Sequence, residues 1–122
     1  MPQVFLVEFI MTFFFVAFVI QIVKHNGAKD VPLNAAAIGI ALYTCIQTSE
    51  GISGGCINPA IGAIQPVFQR VMNQRIYPNA PKTSLIYQGA YVGATTLGGI
   101  FAGVFQRYFN EYAIRKADTM KN

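Results

Sequence analysis

The run Gly51-Ile52-Ser53-Gly54-Gly55-Cys56-Ile57-Asn58-Pro59-Ala60-Ile61-Gly62 constrains this chain most, because it lies between long apolar segments. Small residues at Gly51, Ser53, Gly54 and Gly55 let the backbone turn tightly and present its carbonyl groups. At membrane depth such irregular backbone survives only where protein or water surrounds it. The run then becomes helical. Asn58 is a good N-cap, Pro59 suits the first helical position, where its missing N–H costs nothing, and Ala60 continues the helix. The segment therefore reads as a loop that enters a membrane and turns into a short helix there.

The rest of the composition agrees with a membrane setting. The chain has 122 residues, 53% of them hydrophobic and 11% charged, with a mean hydropathy of +0.41, which is too apolar for an ordinary soluble domain. The formal charge of +4 comes from nine Lys and Arg scattered over loops and tail. They are not gathered on a helix face with interleaved aromatics, so nucleic acid is not an expected partner and membrane-flanking charge is. Cys45 and Cys56 lack metal-ligand spacing, and His25 is the single histidine. No nucleophile triad, carboxylate pair or phosphate loop is present in the sequence, so neither enzyme activity nor a metal or other cofactor is expected. The apolar N-terminal run is too long for a signal-peptide core and lacks a basic leader, so it is expected to stay in the mature protein; an Arg- and Ser-rich transit peptide is absent from the sequence.

In chain order, residues 4–23 form a first membrane helix whose only charge is Glu8. About twenty residues at about 1.5 Å each span the roughly 30 Å hydrocarbon layer. Its phenylalanines fall on every face, which points to lipid or another subunit around it. Residues 24–30 make a polar turn, with Gly27 as helix-ending residue. Residues 33–48 predict a second, shorter helix rich in alanine, with Gln47, Thr48, Ser49 and Glu50 at its wet end. The re-entrant loop and half-helix cover residues 51–69, and Arg70, Asn73, Arg75, Pro78, Pro81 and Lys82 belong to a polar surface loop. Residues 84–108 predict the last membrane helix, in which Gly89 with Gly93 and Gly99 with Gly103 are pairs suited to close helix contact. Residues 109–122 form a polar tail, expected to extend that helix out of the membrane.

The Gly-rich run resembles the second Asn-Pro-Ala loop of the aquaporin (major intrinsic protein) family. Flanking segments extend the resemblance in the right order: Glu8-x-x-x-Thr12-Phe13 looks like the start of the fourth helix of that family, Pro32-Leu33-Asn34-Ala35 like the fifth, and Gly98-Gly99-Ile100-Phe101-Ala102 like the sixth. It covers about residues 4–108, the C-terminal half-repeat. The implied fold is an all-α membrane protein, an aquaporin-like half-repeat with three transmembrane helices and one re-entrant half-helix. The resemblance implies that Glu8 accepts hydrogen bonds from loop N–H groups, with Thr12 on the same polar stripe, and that the Asn58 amide donates to a passing water. It also implies an inverted second half-repeat facing the half-helix, so the protein is expected not to be a monomer. The family's topology puts residues 24–30 and the tail on one side, and the basic residues there assign it to the cytoplasm or mitochondrial matrix.

Two departures from the family matter. The arginine that usually follows Asn-Pro-Ala is Ile61, and a position often occupied by histidine in water-selective members is Ile46. Two isoleucines at these filter-equivalent positions give a constriction poor in hydrogen-bond partners. The sequence thus predicts a non-conducting accessory subunit of a larger membrane complex; a mitochondrial inner-membrane complex is taken as the host because such complexes collect small hydrophobic subunits, not because any residue here shows it. The alternative is a water or small neutral solute channel, formed by pairing with a second half-repeat.

Overall fold

The computed structural model describes residues 1–25, 30–76 and 85–120. Five α-helices follow one another: α1 Pro2–Ile20, α2 Val31–Ser53, α3 Pro59–Ile76, α4 Ile86–Phe105 and α5 Glu111–Thr119. A π-helical turn, Gln21–His25, continues α1, and another, Gln106–Asn110, joins α4 to α5. No strand occurs among the described residues. The expected turn residue Gly27 and the loop residues Pro78, Pro81 and Lys82 lie outside them.

Helix α2 is longer than the expected 33–48. Asp30 starts it by accepting from the Leu33 N–H at 3.1 Å, and Pro32 sits in its first turn. It runs past Thr48 because its hydroxyls do not demand water. Those of Thr44, Thr48, Ser49 and Ser53 donate to carbonyls one turn back, at 2.9, 2.8, 2.7 and 3.2 Å. Gly54, at φ +84°, ends the helix in the left-handed conformation that glycine adopts without strain. Helix α3 is also longer, ending at Ile76 instead of near Gln69. Its polar second half, with Arg70, Asn73, Gln74 and Arg75, continues helically in place of the expected loop. The helix expected over residues 84–108 closes its α-helical part at Phe105, and the tail is helical from Glu111.

The packing is inverted relative to a water-soluble protein. Glu8, Thr12, Ser49, Ser53, Thr95 and Gln106 are buried, whereas Leu6, Phe14, Ile40, Ile64, Phe68, Phe101 and many other large apolar side chains are exposed. Water rewards the opposite arrangement, and a hydrocarbon solvent rewards this one, since only polar groups gain by turning inward. Helices α1 and α2 are each long and apolar enough to cross a membrane.

Helices α1 and α4 form the central pair; α2 packs on α1, and α3 on α4. Close approach at the centre depends on Ala94, Gly98 and Ala102, all buried. A Cβ at Gly98 would lie 2.6 Å from the Phe9 carbonyl oxygen. The expected pairs Gly89/Gly93 and Gly99/Gly103 do not make this seam. Nothing lies within 4 Å of a Cβ built at Gly89, Gly99 or Gly103, and Gly93 meets only the Phe5 ring, at 3.6 Å. One residue is about 100° of helical rotation, so Gly98 and Gly99 face different neighbours. Edge-on ring pairs, Phe9 with Phe101 and Phe13 with Phe105, flank the seam.

Candidate functional site

The loop between α2 and α3 is shaped by three consecutive demands. Gly54 and Gly55 take φ +84° and +66°, and Ile57 takes +50°, a conformation that a β-branched residue adopts only under constraint. The constraint is Glu8, fully buried on α1. Its Oε1 accepts from the Cys56 N–H at 2.9 Å and its Oε2 from the Ile57 N–H at 2.8 Å. One carboxylate thus holds both loop amides, and charge-assisted bonds of this kind are about twice as strong as neutral ones. Thr12, one turn on, is buried beside the seam, and its hydroxyl has no partner among the described residues.

Asn58 then caps α3. Its Oδ1 accepts from the Ala60 N–H at 2.9 Å, and its carbonyl accepts from the Gly62 N–H at 2.9 Å. Its exposed Nδ2 makes no hydrogen bond to the described residues. Asn58, Pro59 and Ala60 therefore form an exposed helix start whose orphan N–H groups and dipole carry partial positive charge.

Helix α4 braces the element from behind. The Tyr91 hydroxyl donates to the Ser53 carbonyl at 2.5 Å, and Gln88 Nε2 donates to the Ala63 carbonyl at 2.6 Å. Gly62 approaches so closely that a Cβ there would lie 2.7 Å from the Tyr91 Cβ. Behind the loop remains a cavity of about 130 Å³, lined by Ser53, Cys56, Gln65 and Tyr91 among others. Sequence reasoning missed Gln88, Tyr91 and Gln106, although a signal was present. Gln88, Tyr91, Thr95, Gly98, Ala102 and Gln106 recur every three or four residues, a polar and small stripe that marks the inward face of an otherwise apolar helix.

The structure treats the two filter-equivalent isoleucines differently. Ile46 is half-buried on α2, and its Cγ2, carbonyl oxygen and Cα lie within 3.0–3.1 Å of a Cβ built at Gly55. Ile61 is 47% exposed on α3. There it lines an open apolar groove of about 380 Å³ with Ala60, Ile64, Gln65 and Phe68. Among the described residues no group of three His, Cys, Asp or Glu is placed to hold a metal ion.

No curated protein and no solved structure matches the chain. The family model for the major intrinsic proteins matches it over residues 1–121. That match spans the buried Glu8, the capped Asn-Pro-Ala turn and the inverted packing alike, and the chain belongs to the major intrinsic protein family.

Proposed function

We propose that residues 1–108 form one half of an aquaporin-like pore unit, which serves as a non-conducting structural subunit of a larger membrane assembly. The observation that carries this reading is the outer face of α3. This helix packs on α4, and it exposes Ile61, Ile64, Val67, Phe68 and Val71 beside a solvent-facing helix start whose dipole carries partial positive charge. Such a start at membrane depth is expensive without a facing partner, and an inverted half-repeat supplies one. In this reading α4, uncharged over its 20 residues, crosses the membrane with α1 and α2. The Lys24–Glu111 pair, at 3.0 Å, supports a topology with the end of α1 and the tail on the same side, and their lysines and arginines favour the cytoplasm or matrix for that side.

A second reading, a conducting pore, is favoured by one feature. The Asn58 Nδ2 stays available to donate to a passing solute, while Oδ1 is held by the cap. Against it stands Ile61 at the position where the family carries arginine, because a narrow apolar ring gives water no replacement for its hydrogen bonds. Stopped-flow osmotic shrinkage of liposomes bearing the protein with its co-purified partners separates the two. The proposal expects no more permeability than empty liposomes. Clearly faster shrinkage with low activation energy overturns it. Sizing in mild detergent tests the assembly: a large multi-subunit complex is expected, and a lone monomer would contradict the reading.

A further inference from the structure

The two π-helical turns lie against each other at one end of the bundle. Gln106 Nε2 donates to the Ala17 carbonyl at 3.0 Å, and Asn110 Nδ2 donates to Gln106 Oε1 at 2.6 Å and to Gln21 Oε1. Beside this lock a cavity of about 570 Å³ opens between the ends of α1 and α4. Val19, Val23 and Gly103 line its apolar part, and Lys24 and Arg107 its polar part. A neighbouring cavity of about 360 Å³ shares Arg107 and adds Tyr108, Tyr112 and Arg115. Three cations therefore stand around a single carboxylate, Glu111, which is paired with Lys24.

We propose that this pair of cavities is a binding site for an anionic phospholipid. A phospholipid carries an acyl chain, an ester region and a phosphate in that order. The cavities offer both kinds of surface side by side: an apolar trough bordered by Lys24 and Arg107, and next to it, sharing Arg107, the amphipathic Tyr108 and Tyr112 with Arg115. An acyl chain lies against Val19, Val23 and Gly103, and the headgroup phosphate meets Arg107 and Arg115, whose planar forks suit phosphate oxygens. Tyr108 and Tyr112 are 63% and 66% exposed, as rings at a membrane–water interface are. The excess of cations over Glu111 selects an anionic headgroup over a zwitterionic one, and the trough selects a lipid over a free phosphate. The site involves neither the Asn-Pro-Ala element nor the filter positions, so it stands independently of whether a pore conducts.

The test titrates the purified assembly in neutral detergent with short-chain phosphatidylglycerol, phosphatidylcholine of the same chain length, and inorganic phosphate, read by native mass spectrometry and thermal unfolding. Phosphatidylglycerol should bind and raise Tm well above the effects of the other two, with affinity falling as salt rises. The R107Q/R115Q variant should bind phosphatidylglycerol about thirtyfold more weakly, at about 1 kcal/mol per cation. Gly103→Leu fits the fold, since nothing lies within 4 Å of a Cβ there, yet it fills the trough, so it should weaken both lipids at unchanged helix content. Equal binding of the two lipids, full binding by R107Q/R115Q, or an equal effect of inorganic phosphate would each overturn the proposal. The wild-type comparison of lipids decides the question even if a variant misfolds.

Discussion

The seam between α1 and α4 and the outer face of α3 belong to the same small bundle, yet they are built by opposite rules. At the seam, Ala94, Gly98 and Ala102 let backbones meet, and each buried polar side chain but one finds a partner. Glu8 binds two loop amides, and Gln106 reaches across to the Ala17 carbonyl. On α3, apolar side chains project with nothing against them, around the exposed Asn58 cap. In a membrane, apolar surface gains little by leaving lipid, so helices adhere through close packing and hydrogen bonds. The seam has both. The α3 face has neither inside this chain, and in the proposed reading it is the part that a partner half-repeat covers.

Substitutions can break this contrast, and Glu8→Leu should do so most. It leaves the Cys56 and Ile57 N–H groups without their acceptor, at about 1–3 kcal/mol for each buried donor. Thermal unfolding in detergent should fall sharply, and recovery of the assembled protein with it; an unchanged Tm would mean that the clamp does not hold the loop. Gly98→Val comes next. Its Cβ would stand 2.6 Å from the Phe9 carbonyl oxygen, so overpacking of about 1–3 kcal/mol is expected. Gly99→Val is its control, with open space at the new Cβ, and should leave unfolding of the isolated chain nearly unchanged. Equal losses for the two variants would move the seam off Gly98.

Asn58→Leu sharpens the comparison from the other side. It removes a cap worth about 1 kcal/mol and places a bulky group on the face where the proposed partner half-repeat would dock. Assembly should fall more than helix content, as sizing and circular dichroism would report. The smallest effect is expected from Lys24→Gln. The Lys24–Glu111 pair is exposed at the lysine, and such pairs contribute under about 1 kcal/mol. A Tm drop comparable to that of Glu8→Leu would show that the π-turn end is as firmly built as the clamp.

Much of the clamp was legible in the residues. A lone carboxylate in an apolar helix must turn inward, and a glycine-rich run ending in Asn-Pro-Ala must turn and then start a helix. That Glu8 accepts from loop N–H groups came from the family resemblance, and that the amides are those of Cys56 and Ile57 came from the structure. Helix lengths were less legible. Polarity near Thr48 and near Arg70 looks like a helix end when water is assumed to be the only partner, but serine and threonine can bond their own backbone, and a polar helix can continue once one face is packed.

By itself the sequence determined the solvent of this protein, the inward carboxylate and the place where the re-entrant helix begins. These follow from charge, hydropathy and backbone freedom, which are properties of single residues and their immediate neighbours. Tertiary structure alone decided that Gly98, not Gly99, touches α1, that Tyr91 and Gln88 brace α3, and that the two π-turns lock together through Gln106 and Asn110. Each of these depends on how far one helix is rotated about its axis against another. That rotation is set by the summed contacts of the whole interface, and no single residue carries it.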